Sequence, residues 1–430
     1  MPTRTDIPAR SPLASHWRFD PDIVFLNHGS FGGVPFVVSE FQRSLQLLMQ
    51  REPIRFVVEL MEPMLDQARH DIAPLLGCDA DDFAFVVNAT MGVNTVVRSL
   101  TLKPGDELVT SNHEYNACNN VLDWAAQHWG AKVVKLELPF PVKSSDEMYD
   151  TITRGVGPRA KLLLISHITS PSGIILPVER IVAEMNRRGV DTLVDGAHAP
   201  GMVPLDIDKL NAPYYTGNFH KWMSAPNGAA FLHVRKDRQQ GIRPLIISHG
   251  ANSTRTDRSR FRLEFDYAGT SDPSPWLSVP VAMQFLPTLA GAAAPDSTKS
   301  DGTLPSAQVR NREMRAGWER VMQHNHSLAL KGRDILCNAL GVTPNATDDM
   351  LGSLAAVQLP AATPEHAAIK SKYHDALQDV LIQKHRIQVP IYPFISPNRQ
   401  VRISGQFYNT VEQYEYLARA LKEELGAKGR

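Results

Sequence analysis

An α/β fold built on a largely parallel sheet is what this sequence predicts. From about residue 65 to 275, apolar runs of four to seven residues alternate with amphipathic helical stretches, the pattern of strands buried on both faces beneath crossover helices. Several runs stop at a polar loop that contains glycine or histidine, and open α/β sheets bind ligands at the carboxyl ends of their strands. At 430 residues the chain exceeds one small core, so two or three structural units are expected.

The units follow in order. Residues 1–60 read as an arm: a short strand at 23–26, the turn-like Asn27-His28-Gly29-Ser30-Phe31-Gly32-Gly33, and a helix from about Pro35. Residues 61–275 form the large domain, with strands at 83–87, 107–110, 132–136, 162–166 and 192–195. Residues 276–430 read as a smaller α+β domain, with apolar segments at 354–359 and 400–404 and a closing helix near 411–425. Within it, the small, polar, breaker-rich stretch near 290–308 reads as a mobile surface insertion without a catalytic part. No internal repeat is found.

Composition excludes several classes. The chain is 43% hydrophobic, 21% charged and 7% aromatic, ordinary for a globular protein and unlike a disordered or fibrous one. Lys plus Arg and Asp plus Glu balance at 45 each, so no long-range positive field draws nucleic acid or an acidic membrane. Cys78, Cys118 and Cys337 are odd in number and without CxxC spacing, which supports neither a disulfide framework nor a structural zinc site and suits a reducing compartment. The first residues lack the apolar core of a signal peptide, and no stretch approaches a membrane span. The expected location is the cytoplasm.

Four strand tips and one lysine carry the chemistry. Lys221, in Thr216-Gly217-Asn218-Phe219-His220-Lys221-Trp222, lies between apolar stretches where a solvated face is out of place. Alone it is an ordinary lysine. Upstream, the strand at 192–194 ends in Asp195-Gly196-Ala197-His198, which sets a carboxylate where it can keep a pyridinium nitrogen protonated, with His198 in reach of a ring hydroxyl. The other reading of Asp195 is a helix N-cap. At Asn88-Ala89-Thr90-Met91-Gly92 a strand opens into a helix with Val93, Val96, Val97 and Leu100 on one face; Thr90 and the first free amides suit a phosphate, or a plain cap. Tyr115, in Ser111-Asn112-His113-Glu114-Tyr115, can stack on a ring or fill the core. His167-Ile168-Thr169-Ser170-Pro171-Ser172-Gly173 makes the fourth tip.

With Asp195, His198 and the His220-Lys221 pair in this order and spacing, the chain resembles the class V aminotransferase family of fold-type I pyridoxal 5'-phosphate (PLP) enzymes over residues 21 to 410. Leu26-Asn27-His28-Gly29-Ser30-Phe31-Gly32 and Arg51-Glu52-Pro53-Ile54-Arg55-Phe56 look most like its isopenicillin N epimerase-like members. The resemblance implies a seven-stranded, mostly parallel sheet and PLP held as a Schiff base on Lys221, which would also move the α-proton of an amino-acid substrate. Asp195 would bind the ring nitrogen, His198 the ring oxygen, and Tyr115 would stack on the ring. Ala89, Thr90 and Met91 would hold the phosphate, with Asn218 and His220 closing the cup and Thr169 and Ser170 on the cofactor side. Thr270, in Ala268-Gly269-Thr270-Ser271, matches a position supplied by a neighbouring subunit, so a homodimer is implied. Arg402 would take the substrate carboxylate, and His28, Asn27 and Arg55 are further substrate-side candidates.

The implied reaction is epimerisation, with β-elimination of a C–S bond, as in hercynylcysteine sulfoxide or cysteine-conjugate lyases, as the alternative. Epimerisation needs a second proton donor, for which Tyr115 and His28 are candidates. Transamination is less favoured. A desulfurase needs a nucleophilic cysteine shortly before the arginine, and residues 380–401 contain none. A dinucleotide-binding oxidoreductase would need GxGxxG after the first strand, a spacing that Gly29, Gly32 and Gly33 do not provide. His113, Glu114 and Cys118 lack the paired spacing of a metal site.

Overall fold

A computed structural model describes residues 7–292, 307–371, 373, 375–394 and 399–426. Most of the segment read as an insertion near 290–308, namely 293–306, lies outside the described residues.

The arm begins with β1 (Val24–Phe25). The motif expected as a turn is in fact a short helix, His28–Phe31, ended by Gly32 at φ 76°. Only glycine suits that position, because a Cβ there would strike the backbone carbonyls of His220 and Lys221. The arm therefore packs directly on the lysine segment. Pro35 caps the helix Phe36–Arg51, as the sequence predicts.

The large sheet comprises β2 (Phe83–Val86), β3 (Glu107–Ser111), β4 (Lys132–Leu136), β5 (Ala160–Ser166), β6 (Asp191–Gly196), β7 (Tyr214–Asn218) and β8 (Ala230–Val234). Their order is β2-β8-β7-β6-β5-β3-β4, and β8 alone runs against its neighbours. In β5 all of Leu162, Leu163, Leu164 and Ile165 are fully buried. Leu162 and Leu164 join one hydrophobic cluster and Leu163 and Ile165 the other, because successive side chains of a strand point to opposite faces. This explains the uninterrupted apolar runs: helices cover both faces.

Helices grow from the strand tips. Asn88 caps Ala89–Ser99 by accepting from the Met91 amide at 2.8 Å. Gly92 in its first turns lies so close to the Thr216 side chain that a Cβ there would collide with it, which brings the helix start against β7. Tyr115 occupies the cap of Asn116–Trp129.

The C-terminal part carries β9 (Leu354–Leu359), β10 (Ile387–Gln388), β11 (Ile391–Pro393) and β12 (Arg399–Ser404). β11, β12 and β9 form an antiparallel sheet, and β10 pairs in parallel with β1 of the arm, Val24 opposite Ile387. The helices Ala307–Leu340 and Val411–Gly426 complete this smaller α+β unit. Among the described residues no helix is long and apolar enough to cross a membrane.

Candidate active site

The carboxyl ends of β5, β6 and β7, the start of helix Ala89–Ser99, the arm and β11–β12 surround a cavity of about 540 Å³. Of the residues singled out in the sequence, Ala89, Thr90, Tyr115, Ser170, Asp195, His198, Asn218, His220, Lys221 and Arg402 line it.

Sheet register places Asp195 opposite Ser166 on β5 and Thr216 on β7. Its carboxylate accepts from the Ala197 amide at 2.9 Å and from the Cys118 thiol at 3.4 Å. Burial raises its pKa from the ordinary carboxylate value. Next to it, Glu114 accepts from the amide and hydroxyl of Ser166, both at 2.7 Å, and burial pushes it up to about 8.

Lys221 follows β7. Loss of hydration, reinforced by the positive charge of Arg402, pushes its amine down to about 8. Nζ lies 3.1 Å from Nε2 of His198, whose Nδ1 accepts from the Trp222 indole N–H at 3.3 Å. His220 donates from Nδ1 to the Ala229 carbonyl at 2.9 Å, and burial lowers it to about 4. Asn218 accepts from the Ala89 amide at 2.8 Å. Between the capped amides of Ala89 and Met91, the Thr90 amide has no residue four positions back inside the helix to bond, and Thr90 lines the cavity.

Arg402 stands across the cavity, 1% exposed. One terminal nitrogen donates to the carbonyl and, at 3.3 Å, to the hydroxyl of Ser170; the other donates to Ser30 at 3.0 Å. The guanidinium lies over the Tyr392 ring at 5.2 Å, and its Nε is buried without a partner. Among the described residues it forms no ion pair.

The other candidates stand elsewhere. Among the described residues Asn27 is linked to Arg402 through Ser30, whose hydroxyl donates to Asn27 at 2.6 Å. His28 is fully buried and does not line the cavity. Its Nδ1 accepts from the Gly33 amide at 3.2 Å and from the Tyr408 hydroxyl at 2.7 Å, so Nε2 carries the hydrogen and donates to the Lys221 carbonyl at 3.0 Å. Burial lowers its pKa to about 4. It is a brace for the lysine segment. Thr169 is buried within its own loop, bonded to Ser172 at 2.7 Å and to the Ile174 amide at 2.9 Å. Arg55 is exposed and paired with Glu52 and Glu59. Met91 and Thr270 line a separate cavity of about 190 Å³ with Val57, Ile246 and Trp276.

Sequence reasoning assigned no role to Ser30, Tyr392, Trp222 or Cys118. Ser30 sat inside a quoted motif and Trp222 directly followed the lysine, so both were open to notice. Tyr392 is on a three-residue strand without a motif.

These side chains fit PLP. Asp195 and Lys221 are placed in one cavity, and among the described residues neither forms an ion pair. A carboxylate and an amine held apart in this way leave space for a group that presents a cationic ring nitrogen to one and a carbonyl to the other.

Comparison with known proteins agrees. The sequence profile of the family described as Aminotransferase class-V matches residues 39–299. An isopenicillin N epimerase of Amycolatopsis lactamdurans is 34% identical over 420 residues, spanning 94% of this chain and 96% of its own. A probable chloroplastic L-cysteine desulfhydrase of Arabidopsis thaliana is 29% identical over 432 residues, 94% of this chain and 83% of its own. Among solved structures, a cysteine desulfurase of Escherichia coli matches with a TM-score of 0.73 at 19% identity, covering 96% of this chain and 98% of that one. At that identity the likeness speaks for the fold, which is fold-type I.

Proposed function

Since this chain belongs to the Aminotransferase class-V family and is a PLP-dependent enzyme, we propose that it acts at the α-carbon of an amino acid as an epimerase of the isopenicillin N epimerase kind. The observation that carries the reading is the pairing, across one cavity, of a lysine amine lowered to about 8 with a buried arginine that makes no ion pair among the described residues. When bound, PLP supplies an electron sink for the α-carbon.

The chain's own residues do the rest. Arg402 binds the substrate carboxylate with its planar donor pair, while Ser170 and Ser30 hold it in place. Lys221 takes the α-proton at Nζ, which its lowered pKa suits at neutral pH. Asp195 would keep the ring nitrogen protonated, and His198 would donate to the ring oxygen. Asn218, His220 and the start of helix Ala89–Ser99 would hold the phosphate. Tyr115 lines the same cavity, and burial raises its hydroxyl above the ordinary phenol value; it keeps its proton at neutral pH and serves as the second acid.

A C–S β-lyase is the second reading, favoured by the desulfhydrase relative. A desulfurase is disfavoured, since residues 380–401 have no cysteine. The proposal includes a homodimer in which Thr270 reaches the neighbouring site. Thr270 is exposed, and the exposed Ile54, Val58 and Ile247 stand close in sequence to Val57 and Ile246, which line the same cavity as Thr270. Three free cysteines suit the cytoplasm.

The test begins with the visible absorbance of PLP-reconstituted wild type and Lys221→Ala. A band that depends on Lys221 is expected; its absence in wild type overturns the reading. Peptidyl amino acids and cysteine conjugates are then supplied. Exchange of the α-proton with loss of optical purity supports epimerisation, and release of pyruvate replaces it with β-elimination.

A further inference from the structure

The residue after the lysine, Trp222, has no place in the reading above. Its indole N–H is a donor only and lies 3.3 Å from Nδ1 of His198. Nδ1 must therefore accept, and a neutral imidazole that accepts at Nδ1 carries its hydrogen on Nε2. Burial, with the positive charges of Lys221 and Arg402 nearby, keeps His198 neutral.

Nε2 in turn lies 3.1 Å from Nζ of Lys221. A donor at Nε2 can bond this nitrogen only when it is a free amine with a lone pair, since an ammonium has donors and no acceptor. The opposite tautomer would present a lone pair and stabilise the ammonium. The indole is held firmly: Trp222 is fully buried, its ring lies 5.0 Å from that of His28, and His28 donates to the Lys221 carbonyl.

We propose that Trp222 is a positioning residue that, through its indole N–H, fixes the tautomer of His198 with the hydrogen on Nε2, and so favours the free-amine form of Lys221, the form that receives the cofactor. The same Nε2–H is the donor that the cofactor's ring oxygen requires. The proposal rests on the reading of Lys221 as the cofactor lysine.

Two measurements on the cofactor-free protein test it. Long-range proton–nitrogen NMR of histidine-labelled protein reads the His198 tautomer: the Nε2–H form is expected in wild type and a mixture in Trp222→Phe. The pH dependence of Lys221 labelling by trinitrobenzenesulfonate reads the amine, whose pKa should rise by about 0.5–1 unit in Trp222→Phe, the equivalent of one hydrogen bond. In a His198→Gln background, where no tautomer exists, Trp222→Phe should add no shift. Should Trp222→Phe fail to fold, a benzothienyl analogue of tryptophan at 222, sulfur replacing the N–H, should give the same results. An unchanged tautomer, or an equal shift in the His198→Gln background, overturns the proposal. A wild type without a Lys221-dependent absorption band would instead overturn the cofactor reading beneath it.

Discussion

Arg402 donates to the hydroxyl of Ser30 at 3.0 Å, and Ser30 in turn donates to Asn27 at 2.6 Å. The first bond joins residues 372 positions apart, so the arm aims the arginine. Ser30→Ala should raise KM for the amino acid several-fold while kcat changes less, because it loosens a binding group. Arg402→Lys, which loses the planar pair of donors, should raise KM about 10–100-fold, some 1.4–2.7 kcal/mol of binding. Steady-state kinetics on both variants check this; equal KM values would refute the arm's part.

The lysine gives a pH prediction. With its pKa lowered to about 8, roughly a tenth of Lys221 is free amine at pH 7 and about nine-tenths at pH 9. Cofactor-free protein should therefore combine with PLP about ten times faster at pH 9 than at pH 7, as stopped-flow absorbance would measure.

Glu114 gives another. Burial raises its folded pKa to about 8, above the ordinary 4.5, so between those values the folded protein holds a proton that the unfolded chain has released. Stability contributed by this group is full below about 4.5 and declines as pH rises toward 8. Glu114→Gln should flatten that decline, and melting curves from pH 5 to 8 on both proteins decide it. A parallel decline in the two would show that Glu114 is not its source.

A buried charge network gives a stability prediction. Asp266 pairs with Arg69, Arg258 and Arg262, and Arg69 is 1% exposed. Removing the carboxylate leaves buried guanidinium groups short of an anion, so Asp266→Ala should cost about 3–5 kcal/mol, readable in urea unfolding.

Much of the fold was legible because its signals are local. The run of Leu162, Leu163, Leu164 and Ile165 announces a strand buried on both faces, and Asn88 before Ala89 announces a helix start. β8 was passed over although Ala230-Phe231-Leu232-His233-Val234 is an apolar run after Gly228. Its place between β2 and β7 is a matter of pairing, which no single segment encodes. The helix His28–Phe31 was hidden for a similar reason: its glycines resemble a turn, and contact with the lysine segment shapes it.

By itself, the sequence determined the α/β alternation, the strand tips, and the presence of Lys221, Asp195, His198 and Arg402 in an order that marks a PLP enzyme. Spacing and periodicity over a few residues suffice for the alternation and the tips, whereas the order of those four residues carries its meaning through the resemblance to a known family. Only the tertiary structure decided that Asn27 reaches Arg402 through Ser30, that His28 braces the Lys221 backbone, and that Trp222 faces Nδ1 of His198. Each is a hydrogen bond whose worth depends on direction and burial, and folding alone brings those donors and acceptors together out of water.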